Sequence, residues 1–302
     1  MQPANNYILY LENVTKSYGT KTVLNDIDLA VSAQAFCTVV GPSGCGKSTL
    51  LRLILGQEQI SGGLLLMQGQ PISTPGPDRG IVYQRYSLFP HLTILDNILL
   101  GKRLSLPFWE VLSRRKRDRD EAMGYLASVQ LADHAFKYPH QLSGGMQQRV
   151  AIAQALIMKP KILLMDEPFG ALDPGTREMM QMLILELWES YQMTIFFVTH
   201  DLEEAVFLGT RILVLSQFYF HELDNAPGTI KGARIVADYP LARTNATSTK
   251  VKATAAFGHF IQKIRSEGFD PQYMQHAREF NLKHPDSFMT LAGEDDDLRS
   301  KS

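Results

Sequence analysis

Apolar residues along this chain follow two rhythms. Residues 36–40 (FCTVV), 80–84 (GIVYQ), 161–166 (KILLMD), 194–199 (TIFFVT) and 211–216 (RILVLS) are nearly unbroken runs of branched and aromatic side chains. That is the pattern of strands buried on both faces. Residues 7–13 (YILYLEN) and 24–31 (LNDIDLAV) alternate instead, predicting a small antiparallel sheet whose connecting loop carries Tyr18 and Gly19. Helical spacing governs 87–160, broken at Pro90, Pro107 and Pro139, and returns over 175–191 and from Asp201 onward.

Strands interleaved with helices predict an α/β core over residues 1–225, with a helical subdomain inserted at about 87–160. The run 211–216 reads as the last core strand, and 230–236 as a further strand able to pair. Residues 226–302 form an extension read as mainly helical. Within it 247–267 is amphipathic, with Val251, Phe257, Phe260, Ile261 and Ile264 near one face. The acidic tail around Glu294–Asp297 is too polar to build a core and is expected to be disordered.

Composition narrows the picture only in places. A chain of 302 residues with net charge −1 offers no electrostatic footprint for nucleic acid, so none is expected as a main partner. Cys37 and Cys45 are too few for a disulfide framework, which fits a reducing compartment. No apolar run reaches the roughly 18 residues a membrane span requires, and residues 1–10 lack the features of a signal peptide. A cytoplasmic chain with at most a peripheral membrane role is expected.

Chemistry enters at Gly41, Pro42, Ser43, Gly44, Cys45, Gly46, Lys47, Ser48 and Thr49, between the strand at 36–40 and a helix start. This fits the glycine-rich phosphate-binding pattern. Glycines let successive N–H groups turn inward, the helix dipole adds positive potential, and Lys47 and Ser48 suit phosphate and magnesium. Thr49 also reads as an ordinary helix residue. Cys45 lies where a helix N-terminus can lower a thiol pKa, although a small residue filling a loop is the plainer account.

Further along, Ser143 caps a helix whose first turn is opened by Gly144 and Gly145, a second place where a ligand can approach backbone N–H groups. Asp166 ends a buried strand and Glu167 follows it, a metal ligand and a water-polarising carboxylate by type, or else plain loop residues. Asp173 caps the next helix, with Pro174 at its first position. His200 leaves a strand at its C-terminal end, where ligands bind in α/β sheets. The other histidines show no metal-ligand spacing.

In their order, GPSGCGKST, Gln84, LSGGMQQR, ILLMDE, Ala171-Leu172-Asp173 and Thr199-His200-Asp201 resemble the ATP-binding cassette (ABC) ATPases of membrane transporters, over roughly residues 7–216. The resemblance implies a P-loop NTPase (RecA-like) core with an N-terminal antiparallel β-subdomain. It also implies that Tyr18 stacks on adenine and that Lys47, Ser48 and Asp166 hold phosphate and magnesium. Glu167 then polarises water, Gln84 senses magnesium and the γ-phosphate, and His200 contacts the γ-phosphate. Ser143 and Gly145 reach the γ-phosphate of ATP bound to a second copy, and Gly144, Gln147 and Asp173 are counted among the nucleotide-binding residues.

Two ATPase chains would pair head to tail, most simply as a homodimer on the cytoplasmic face of the inner membrane. Integral permease subunits, and indirectly an extracytoplasmic solute-binding protein, complete the assembly. YPHQLSGGMQQR and FFVTHDLEEAVFLGTRILVLS are similar to the importer ATPases for nitrate, sulfonate, taurine and bicarbonate. Polyamine, sugar and amino-acid importer ATPases remain alternatives. A soluble ABC ATPase of DNA repair or translation, and a P-loop kinase, stay open as other classes. Phosphate release without a phosphorylated acceptor rejects the kinase. The run 113–120 (SRRKRDRD) reads as a solvated helix face, or less simply as a contact to an acidic or lipid surface.

Overall fold

The computed structural model describes residues 7–84, 88–220, 232–241, 252, 254–270 and 275–276. In chain order these form β1 (Leu9–Tyr18), β2 (Lys21–Val31), β3 (Phe36–Val40), α1 (Lys47–Leu55), β4 (Gly62–Met67), β5 (Gln70–Pro71), β6 (Arg79–Val82), α2 (Ile94–Ser105) and α3 (Phe108–Ser128). There follow α4 (Gly144–Leu156), β7 (Ile162–Asp166), α5 (Pro174–Tyr191), β8 (Thr194–Val198), α6 (Leu202–Leu208), β9 (Arg211–Ser216), β10 (Tyr219–Phe220), β11 (Arg234–Pro240), α7 (Ala255–Phe269) and β12 (Gln275–His276). They divide between a first unit, Met1–Pro75 with Phe197–Ser302, and a second, Gly76–Phe196.

In the first unit β1 and β2 form a hairpin, and β4 and β5 extend it in the order β2-β1-β4-β5. Tyr18 is the last residue of β1 and pairs with Lys21, so the tyrosine expected in a loop stands at a strand end beside a two-residue turn. A second sheet runs β11-β9-β3, with β3 parallel to β9 and β11 antiparallel on the other edge. The expectation that 211–216 is the last core strand is corrected here, and the further strand sought at 230–236 lies at Arg234–Pro240. Apart from Arg211 β9 is buried, so its outer edge demands a partner. The polar residues that disguise β11 are paired: Arg211 Nε donates to both oxygens of the buried Asp238, at 2.8 and 3.1 Å, and Arg234 meets Asp26 at 2.7 Å.

Thr254 caps α7 by accepting from Phe257 N at 3.3 Å. The helix packs against α6, β9 and β11, with Ile264 buried among Val40, Leu202, Val214 and Val236. Described residues of the extension thus comprise a strand of the sheet, one helix, and β12 parallel to β10. Val251 and the acidic tail lie outside the described residues.

The second unit holds β6 and β7, paired in parallel, and the helices α2 to α5. Helix α2 packs against α3 and α4, and α4 packs against β6 and α5. Three helix starts carry side-chain caps written in the sequence: Thr93 accepts from Asp96 N (3.1 Å), Ser143 from Met146 N (3.4 Å) and Asp173 from Thr176 N (3.0 Å). Residues 114–117 and 119–120 of α3 are exposed, in keeping with a solvated face.

Candidate active site

The loop after β3 is shaped by close approach. A Cβ on Gly41 would lie 2.0 Å from the Leu215 carbonyl oxygen of β9, and one on Gly46, which has φ 108°, would lie 2.8 Å from Leu24 Cδ2. Only glycine fits either place. Lys47 is buried at the start of α1, and its Nζ donates to Gly41 O at 2.8 Å and Pro42 O at 3.0 Å, inside the ring the loop makes. Helix α1 begins with no side-chain cap and no acid in its first turn, so its own first turn leaves the positive end of its dipole uncompensated. Ser43 and Gly44 form an exposed rim, Pro42 and Ser48 are half-buried, and Thr49 is buried. Such a cradle fits a polyphosphate.

Cys45 is buried against this loop, and burial pushes its thiol pKa up despite the nearby Lys47 ammonium. Desolvation outweighs the helix end, and the lowered thiol pKa that the sequence position allowed does not occur. Cys37, in β3, is pushed up to about 12 by burial.

Tyr18 is 44% exposed, with Lys16 Nζ 4.8 Å from its ring centroid and its hydroxyl donating to Glu58. Burial and then that hydrogen bond raise the phenol pKa. His200 is exposed just past the end of β8. Its backbone is held on both sides: Thr199 N donates to Val39 O at 3.2 Å, Thr199 Oγ1 to the buried Glu204 at 2.6 Å, and Asp201 N to Thr199 Oγ1 at 3.1 Å. Val39 lies two residues before Gly41, so the first unit brings the histidine's strand and the phosphate loop's strand side by side.

In the second unit Asp166 and Glu167 are half-buried at the end of β7. Glu167 takes φ 46°, a left-handed conformation that costs a glutamate roughly 1–3 kcal/mol. Its carbonyl accepts from Gly170 N at 3.3 Å, and Gln84 Nε2 lies 3.5 Å from where a Gly170 Cβ would be. Gln84 and the Glu167–Gly170 turn are therefore neighbours.

Ser143, Gly144 and Gly145 open α4 beside the start of α5. A Cβ on Gly145 would lie 2.5 Å from Thr176 Cγ2, and Thr176 is the residue Asp173 caps. The Asp173 carboxyl is held below its usual pKa by hydrogen bonds from the Thr176 side chain and backbone. Gln147, expected at a ligand, commits its amide nitrogen to Pro139 O (3.0 Å) and Leu142 O (3.2 Å) and so braces the chain leading into α4.

Sequence reasoning missed Asn97. Fully buried in α2, it accepts from Phe89 N at 2.7 Å and donates to Phe89 O, Leu92 O and Thr93 O at 3.1, 3.2 and 3.0 Å. It fastens the segment that follows Gln84 onto the helix. The available signal was one amide inside the apolar run ILDNILL.

Residues 24–170 match the family model described as ABC transporter. Over 244 residues the chain is 43% identical to an uncharacterized ABC transporter ATP-binding protein of Methanocaldococcus jannaschii, a match covering 78% of this chain and 85% of that protein. The chain belongs to the ABC transporter family. As an ABC ATPase it binds and hydrolyses ATP, and its α/β fold is the family's P-loop fold. It is also 45% identical over 213 residues to the nitrate import ATP-binding protein NrtD of Synechocystis, covering 70% of this chain and 75% of that one. Identity to the spermidine/putrescine import ATP-binding protein PotA of Haemophilus influenzae is 43% over 218 residues, covering 71% and 57%. Among solved structures, cbiO1 of Clostridium perfringens, part of the ABC transporter complex cbiONQ, superposes with TM-score 0.66 at 25% identity, covering 86% of this ABC chain and 95% of that one. No helix among the described residues is long and apolar enough to cross a membrane.

Proposed function

We propose that this ABC ATPase is the energy-coupling subunit of an importer for a small anion such as nitrate, sulfonate, taurine or bicarbonate. The observation that carries the reading is a built phosphate cradle around Lys47 in a chain whose relatives are named import ATP-binding proteins. For the anion class the support is the extent of the match, 75% of the nitrate protein against 57% of the polyamine one. Polyamine import is the second reading, favoured by nearly equal identity.

Lys47 and the N–H groups of residues 41–48 neutralise the ATP phosphates, and Tyr18 offers its exposed ring to adenine. Ser48, Gln84 and Asp166 would supply oxygens to magnesium carried on the nucleotide. No group of three or more His, Cys, Asp or Glu side chains able to hold a metal occurs among the described residues, but an ion carried on a nucleotide needs only one or two protein carboxylates beside the phosphates. Glu167 orients and deprotonates the attacking water, and His200 steadies the γ-phosphate. Ser143, Gly144, Gly145 and Asp173 present two adjacent helix starts to the ATP of a second, head-to-tail copy, with Gln147 holding them in place. Closing the pair assembles both sites and hydrolysis releases it.

The pair works on permease subunits at the cytoplasmic face of the inner membrane, fed by a solute-binding protein outside. A cleft of about 320 Å³ between α2 and α3, where Leu99, Val111 and Leu112 meet Asp96, Arg103 and Arg115, suits a short amphipathic helix of such a subunit. The sequence places Gln84 and residues 85–90 beside the groove for that helix; Gln84 and residues 88–90 do not line this cleft, and 85–87 lie outside the described residues.

Two measurements test the reading. Glu167→Gln should retain ATP binding, lose turnover and elute as a dimer with ATP; unchanged turnover removes Glu167 as the base. The ATPase co-purified with its membrane partner and reconstituted should hydrolyse ATP faster with one of these four solutes, and stimulation by spermidine alone would transfer the assignment to polyamines.

A further inference from the structure

We propose that α7, from the C-terminal extension, is a positioning element for His200, acting through Ile261 and Phe269 on the first turn of α6. The inference rests on the role given above to His200. His200, Leu202, Ile261, Arg265 and Phe269 line one cavity of about 520 Å³ in the first unit. Ile261, Arg265 and Phe269 are four residues apart and so share one face of α7. Leu202, two residues after His200, is buried in the cluster that receives Ile264, with Ile261 and Phe269 packed against it. Val40, the residue before Gly41, belongs to the same cluster.

The helix has a firm seat. Gly268 lies so close to β9 that a Cβ there would be 2.3 Å from Val214 Cγ1, and Val214 pairs with Val40. From this seat α7 closes the outer side of a turn whose inner side is set by Thr199 on Val39 and on Glu204. At only seven residues, α6 cannot hold its own orientation by length, so what packs on Leu202 sets where His200 stands.

The test uses the full chain with Ile261→Ala and Phe269→Ala combined, and Phe260→Ala as control. Phe260 packs against the same cluster and meets Tyr239 edge-on at 5.2 Å, but it does not line the cavity that His200, Ile261 and Phe269 share. The double variant should lose about tenfold in kcat, with KM and the affinity for a non-hydrolysable ATP analogue within about twofold of the parent. Added to His200→Ala it should cost nothing more, since both act through one group. Phe260→Ala should lower Tm yet keep kcat within about twofold of the parent. Equal kcat loss in the control, unchanged kcat in the double variant, or a full further loss on His200→Ala would overturn the proposal. If the double variant does not fold, Ile261→Val reads the same comparison, with a smaller kcat loss supporting the proposal and none overturning it. A parent chain unable to bind ATP would overturn the proposed function as well, a result none of the variant outcomes imitates.

Discussion

At Gly41 one methyl group would collide with the Leu215 carbonyl, so the phosphate loop is shaped as much by β9 as by its own glycines. The same loop holds Lys47 Nζ on two carbonyls, placing its charge at the centre of the ring. Lys47→Ala should therefore weaken ATP binding about ten- to a hundredfold, the worth of one or two charge-assisted hydrogen bonds. Calorimetry with a non-hydrolysable analogue measures it, and parental affinity would contradict the cradle. Cys45 makes a separate point about sites and sequence position. Its burial raises the thiol pKa, so at neutral pH the reactive thiolate is scarcer than for an exposed cysteine. Iodoacetamide should label the native protein slowly, with labelling becoming rapid in urea; fast native labelling would mean that the loop opens.

Among the elements, α4 and α5 begin where Ser143, Asp173 and Pro174 said they would, because each cap accepts from a backbone N–H three residues on; Thr93 caps α2 in the same way, without having been read from the sequence. Tyr18 shows the limit of such local reading. The polar stretch around it looks like a loop, yet cross-strand pairing with Lys21 makes it the end of β1. Asn97 shows the same limit inside a helix, where its value comes from four hydrogen bonds to Phe89, Leu92 and Thr93 in the preceding segment. Asn97→Leu keeps the volume but strands buried backbone groups, and should cost about 2–3 kcal/mol. A urea titration reads that loss, and a change below about 0.5 kcal/mol would show that the segment finds other partners.

For the molecule as a whole, the extension is not an appendage within the first unit. Strand β11 covers the edge of β9, and α7 covers the cluster that includes Val40 and Leu202. A chain ending at residue 220 should expose that edge and that cluster together, and should aggregate where the full chain stays monomeric or dimeric on sizing. A well-behaved truncation would show the extension to be dispensable. The buried strands, the capped helices and the phosphate loop were all readable from order and period along the chain. Each depends on chemistry within a few residues, a hydrogen bond to the next turn or an apolar side chain every second or fourth place. Residue order could not say that Leu215 would press on Gly41, that Arg211 and Arg234 would find Asp238 and Asp26, or that α7 would lie against the turn holding His200. Those contacts join residues distant in the chain, and long-range packing alone selects among the many partners that a buried charge or an apolar helix face could accept.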